Sequence, residues 1–270
     1  MDTYDIEAWI EVILRWTHVF AGILWIGQTY LFNFLERNLE ARPDQENIAG
    51  TLWMVHGGGF YFLEKQKIPE LMPQKLHWFK WEAAATWISG VLLLGLVYYM
   101  GGYLVESSKD FATAAAVAIG VVLVGGMVYD VLVRSPLVKN VWAFSVVAFF
   151  LLLGVHYGLS EVLTSRAAFM HVGVLMGTIM AVNVWMWILP SQRKMIAAAK
   201  EGKQIDPAVM ATGPIRSKHN SYMVVPLVFI MISNHYPTIS YGHDYSTAIL
   251  GIILLVGWGM ARLMRGKHGP

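Results

Sequence analysis

Nine histidines stand in this chain of 270 residues, and their settings differ. His18, His156 and His171 lie inside apolar strings, LRWTHVFAGILWIG, LLLGVHYGL and AAFMHVGVLMG, and His235 closes another in MISNHYP. His56 stands before three glycines, Gly57 to Gly59, in MVHGGGFYFLEKQ, and His219 precedes Asn220 in RSKHNSY. An imidazole in apolar sequence can coordinate a metal such as haem iron, or bridge packed helices by hydrogen bonds. Ionisable residues at membrane depth are costly enough to point to function. A histidine beside a cation can also bind an anion and accept a proton near neutral pH. Two candidate sets follow. His56, Lys80, Glu82, His219 and Asn220 form a catalytic set, with the glycine backbone as a donor surface. His18, His156, His171 and His235 form a ligand set, a pair of which would hold a b-type haem, one or two in number, with Arg15 placed to meet a propionate.

The chain has no cysteine, which excludes disulfides, thiolate metal sites, iron–sulfur clusters and covalently attached c-type haem. Any cofactor must be held by histidine, methionine or oxygen.

The elements that position these residues are apolar helices. Hydrophobic residues make up 56% of the chain and charged residues only 14%, against about 25% in soluble domains. Mean hydropathy is +0.49. A spanning helix needs about 20 mainly apolar residues, and seven segments qualify: 8–34, 78–101, 111–133, 140–162, 167–189, 220–240 and 245–264. The expected fold is therefore all-α: a polytopic membrane helix bundle forming one domain over residues 1–270. The acidic start, MDTYDIEAW, does not resemble a signal peptide with its basic leading region, so the first segment is expected to be retained.

Basic residues set the orientation. Of 20 lysines and arginines, all but Arg15, Lys109 and Arg166 fall on one side of a seven-span arrangement. The positive-inside rule then places the N-terminus outside and the C-terminus inside a bacterial inner membrane. The small net charge of +2 is a topology signal and offers no nucleic-acid footprint.

On this topology His156 and His171 lie at comparable depth on adjacent antiparallel helices, near the outer surface with His235, while His18 lies about 15 Å inward from that side. Gly154, Gly158, Gly173 and Gly177 flank the first two, making room either for a flat macrocycle or for close helix packing. The uncharged run NIAGTLWMVHGGGFYFL is too short for a further span and carries three glycines that would weaken a helix. It reads as a re-entrant or interfacial segment on the inner face, or as a helix-packing corner. Asp130 and Arg134, four residues apart, are expected to pair.

Five strings also carry a resemblance. LRWTHVFAGILWIG, WMVHGGGFYFLEKQ, MPQKLHWFKWEAAATWISG, GTIMAVNVWMWILPSQRKM and RSKHNSYMVVPLVFIMISNHYP are similar, in order, to the N-terminal membrane domain of the bacterial cytochrome-c-linked urate oxidase (urate hydroxylase) family. The likeness runs from about residue 8 to residue 265. It implies a membrane oxidoreductase that converts urate to 5-hydroxyisourate and passes electrons to cytochrome c. The sequence given reaches Pro270 without an eighth helix or a Cys-x-x-Cys-His motif. The expected acceptor is therefore separate: a cytochrome c or a respiratory-type complex. The alternative is a non-catalytic haem-carrying or structural subunit of a larger electron-transfer complex. A transporter would be expected to show paired interrupted hydrophobic segments, and none stands out.

Overall fold

The computed structural model describes residues 3–67, 73, 75–106 and 109–266. His268 lies outside the described residues. Within them the chain is dominated by eight α-helices, α1 Thr3–Asn38, α2 Trp81–Leu94, α3 Phe111–Arg134, α4 Val141–Ser160, α5 Ser165–Val182, α6 Leu189–Lys200, α7 Pro207–Ile232 and α8 Ser246–Arg265. Two of them continue as π-helical turns: Gly95–Met100 after α2, and Asn183–Ile188, which joins α5 to α6 without a break.

Six helical stretches among the described residues are long and apolar enough to cross a bilayer: Asp5–Asn38, Trp81–Met100, Phe111–Arg134, Val141–Ser160, Ser165–Lys200 and Ser246–Arg265. The expected seventh, α7, is the exception. It runs from Pro207 to Ile232 instead of 220–240, and its middle carries Arg216, Lys218, His219 and Asn220. Residues 190–219, between two of the expected spans, are thus mostly helix, with α6 and α7 packed on each other. At 1.5 Å per residue, the 36 residues of Ser165–Lys200 reach about 54 Å, well past a hydrocarbon core of about 30 Å.

That stretch is the axis of the molecule. Over half of its most apolar window (56%) is buried, against 6% for α1 and α4, whose outward faces are apolar and exposed. Small residues let the helices close on the axis. A Cβ on Gly173 would lie 2.8 Å from Ile230 of α7, and one on Gly125 of α3 would lie 2.8 Å from Leu175. Gly257 of α8 accommodates Pro226, the second of two prolines inside α7. Caps fix the helix starts: Asp110, Asn140, Thr164 and Asp206 each accept backbone amides at N-termini. At Asp110 the Thr113 hydroxyl and amide hold the carboxyl below the usual carboxylate range.

The HGGG segment differs from its expected form. Ile48–His56 and Gly59–Gln66 are antiparallel strands, β1 and β2, with His56 paired to Gly59. Gly57 and Gly58 form the two-residue turn at φ of 59° and 78°. A two-residue hairpin turn whose twist suits the strands needs positive φ at both positions, which glycine adopts without strain. The segment is therefore a β-hairpin where a helix-packing corner was one expectation. The hairpin is tied to the end of α1 by paired backbone bonds between Glu40 and Thr51, at 2.8 and 2.9 Å, and by the Lys65–Glu36 ion pair.

Candidate functional site

The densest buried polar cluster lies where α3, the Asn183–Ile188 π-turn and α7 meet. Arg216, His219 and Asn220 are spaced i, i+3 and i+4 on α7 and so share one face. The π-turn brings Asn183 and Trp187 to that face, and α3 supplies Tyr129 and Asp130. π-Turns recur at functional sites because they break the phase of a helix and free its backbone.

Asn183 is the hub and is fully buried. Its Oδ1 accepts from Arg216 Nη1 at 2.9 Å, while its Nδ2 donates to Tyr129 Oη and to Asn220 Oδ1, both at 2.9 Å. Asn220 in turn donates to the Met180 carbonyl at 3.1 Å. Tyr129 Oη, accepting from Asn183, has its own proton left for His219 Nδ1, 3.0 Å away. That bond sets His219 as the tautomer protonated at Nε2. Phe144 of α4 stacks on the His219 ring, with centroids 4.7 Å apart and planes at 24°.

The charge of the cluster is positive. Arg216, 3% exposed, pairs with Asp130 at 2.6 Å, and Asp130 also pairs with Arg134 at 2.7 Å, as expected from their spacing. Two guanidinium groups against one carboxylate leave one surplus positive charge. The Trp187 ring lies under both, 4.6 Å from Arg216 Cζ and 4.3 Å from Arg134 Cζ. A second cluster adjoins it: Arg265 of α8 donates to Asn33 of α1 at 2.8 Å and to Ser221 of α7 at 2.9 Å, clamping three helices.

Sequence reasoning named His219 and Asn220 but missed Arg216, Asn183, Tyr129 and Trp187. A signal existed in the lone asparagine of AVNVWMW and in the i, i+3, i+4 spacing of Arg216, His219 and Asn220. The remaining members of the expected catalytic set lie elsewhere. His56 is exposed at the hairpin tip. Lys80 lies beside the π-turn, its Nζ 4.9 Å from the Trp81 ring and 5.9 Å from Trp185. Glu82 lines a groove between α1 and α2.

The four outer histidines do not converge. His18 Nδ1 meets the Thr86 carbonyl at 2.8 Å and Ser89 Oγ at 3.2 Å, joining α1 to α2. His171 donates from Nδ1 to the Ala167 carbonyl at 2.7 Å, and its Nε2 meets Tyr99 Oη at 3.2 Å. His156 Nδ1 meets Thr247 of α8 at 2.8 Å, and its buried Nε2 has no partner among the described residues. His235 is exposed beyond α7, and Arg15 pairs with Glu11 on the surface of α1. A bis-imidazole haem needs two open nitrogens with space between them. The buried nitrogen without a partner is His156 Nε2; Phe169 stands edge-on to its ring at 5.5 Å, and the room beside Gly173 and Gly177 is filled by Ile230 and Leu227. Gly154 and Gly158 have open space beside them and are exposed on α4. Among the described residues no group of three or more histidines or carboxylates is placed to hold a metal ion.

No curated protein and no solved structure matches the chain. The model of the urate oxidase N-terminal family does match, over residues 4–269. With nearly the whole chain covered, this polytopic-looking helical protein belongs to the urate oxidase N-terminal family.

Proposed function

We propose that the protein is a membrane-embedded oxidoreductase that oxidises urate, or a closely related purine anion, at the Arg216–Asn183–His219 cluster. The observation that carries this reading is the buried frame of amides and aromatic rings around Arg216, with Arg134 at its exposed edge leaving one positive charge beyond Asp130. A purine monoanion offers a planar ring, one negative charge and alternating N–H donors and carbonyl acceptors. Arg134 and Arg216, with Asp130 against them, supply the charge, Asn220 keeps one N–H and the Asn183 and Asn220 amide oxygens a lone pair each, and Phe144 and Trp187 offer flat faces. His219 is the base through Tyr129: a purine N–H proton passes to Tyr129 Oη as the tyrosine proton passes to His219 Nδ1. Removal of that proton raises electron density on the ring, and water adds as two electrons leave, giving the hydroxylated product. Asp130 keeps Arg216 aimed along α3, and Lys80, beside Trp185, adds positive charge near the π-turn.

In this reading α7 completes seven spans, the N-terminus faces outwards, and the cluster lies near the inner face of a bacterial inner membrane. The strong bias of lysine and arginine to one side supports that orientation. Electrons pass to a separate acceptor such as cytochrome c. A haem bound to this chain would find its one open, buried imidazole nitrogen at His156.

The test is direct. Purified protein mixed with urate and oxidised cytochrome c should consume urate and reduce the cytochrome in step, and Arg216→Met should abolish both. Wild-type protein that neither turns over urate nor is stabilised by it against heat would remove the reading and favour the subunit alternative.

A further inference from the structure

Between α1 and α2 runs an open groove of about 480 Å³, lined by Trp16, Phe20, Leu24, Trp81, Glu82 and Ala85 among others. Its lining is almost wholly apolar, and Trp16, Phe20, Leu24 and Trp81 are exposed along it. In a spanning bundle this groove opens to hydrocarbon, so its occupant arrives from the bilayer. Within it one feature is out of place. Glu82 Oε2 is buried and has no hydrogen-bond partner among the described residues. An orphaned carboxyl oxygen in apolar surroundings is costly unless a ligand meets it. The missing ligand is therefore lipid-soluble yet carries a polar oxygen near one end.

A second observation narrows the class. Trp81, on the groove wall, meets Trp185 edge-on at 5.8 Å, and Trp185 belongs to the π-turn two residues from Asn183. The groove and the polar cluster thus share one aromatic contact. We propose that the α1–α2 groove binds a lipid-soluble quinone, with Glu82 hydrogen-bonded to a ring oxygen and the aliphatic tail lying along α1. This rests on the oxidase reading, which requires an electron acceptor, and it supplies one that reaches the protein through the membrane. The balance is complete: the purine and one water lose two electrons and two protons, and the quinone takes two of each and leaves as quinol. Glu82 hands one proton to the reduced oxygen and regains it from solvent on the inner side; the second proton also comes from solvent, which receives the two protons released by the purine and its added water.

Detergent-solubilised protein without urate, titrated with decylubiquinone, should show saturable quenching of tryptophan fluorescence, because Trp16 and Trp81 line the groove. Ala85→Leu, which fills the groove, and Glu82→Leu, which removes the polar contact, should each weaken binding about tenfold. Glu82→Gln, which keeps a hydrogen bond, should fall between Glu82→Leu and wild type. Gel filtration establishes that each variant is folded, and the two substitutions, one turn apart on the groove face of α2, act by different means, bulk and loss of a polar contact, so the loss of one protein leaves the other to decide. Quenching that never saturates, or decylbenzene competing as well as the quinone, would overturn the site. The two readings then separate. Urate-driven reduction of decylubiquinone supports both; saturable binding with no reduction by urate keeps the quinone site and removes urate as the reductant.

Discussion

The α7 cluster and the histidines of the expected ligand set hold similar inventories of polar side chains and treat them in opposite ways. In the cluster Arg216, Asn183, Tyr129, His219 and Asn220 bond to one another, so that one amide touches three other members. In the ligand set His18, His156 and His171 bond to Thr86, Thr247 and Tyr99 and never to one another. Convergence builds a site with a net charge and fixed donors. Dispersion builds staples between helices, each holding one ring nitrogen where it stands and leaving His156 Nε2 without a partner among the described residues. Residue type alone does not distinguish them.

The sharpest way to break this contrast is at Arg216. Arg216→Met should abolish urate turnover and cost about 3 kcal/mol of stability, because Asp130 loses its buried partner. That cost stays modest because Asp130 is 26% exposed and keeps Arg134. Urea unfolding in mild detergent and a turnover assay check both. Arg216→Lys keeps the charge but loses the second guanidinium bond, and should recover only part of the activity.

Asn183→Leu comes next. It leaves Arg216, Tyr129 and Asn220 each short of a partner, and turnover should fall about tenfold or more, with destabilisation of about 1–3 kcal/mol. A variant that keeps full turnover would show the cluster to be structural.

The outer histidines should behave otherwise. His171→Ala strands Tyr99 and should cost about 1–3 kcal/mol of stability, yet leave turnover within about twofold, since it touches no group of the inner cluster. Haem content measured by absorbance on His156→Ala and His171→Ala sharpens the point. His171→Ala should not change it, and a haem spectrum lost in both variants would make the outer set convergent after all.

The smallest effects belong to the hairpin. His56→Ala should change stability by no more than about 0.5 kcal/mol, being exposed at the tip. Gly58→Val should cost about 1–2 kcal/mol by forcing a branched residue to a φ of 78°. A loss of turnover in His56→Ala at full stability would restore His56 to the catalytic set.

How much of this could be read from the chain depended on the range of the forces. Apolar runs define helices locally, and 111–133 and 245–264 agree with α3 and α8 to within a residue at each end. Helix α7 was misplaced because its polar run, Arg216 to Ser221, looks like a loop until α3 and the π-turn supply its partners. The hairpin was locally encoded, since β-branched and aromatic residues flank a glycine pair, but the lack of charge suggested membrane instead. Of the site, two residues were legible and its hub was not. Nothing local marks Asn183 as the start of a π-turn, which depends on what packs against it.

That turn also constrains how the gene can change length. A residue removed between 183 and 188 would let the ladder close to ordinary α-helix, and because a π-turn takes up about one extra residue in nearly the same rotation, α6 would keep its stripe against α7. What would go is the local widening that sets Trp185 against Trp81 and Trp187 against the two arginines. A deletion here would therefore act like removing a shim, felt at the cluster alone, whereas one in the regular turns of α5 or α6 would swing half a helix by about 100°.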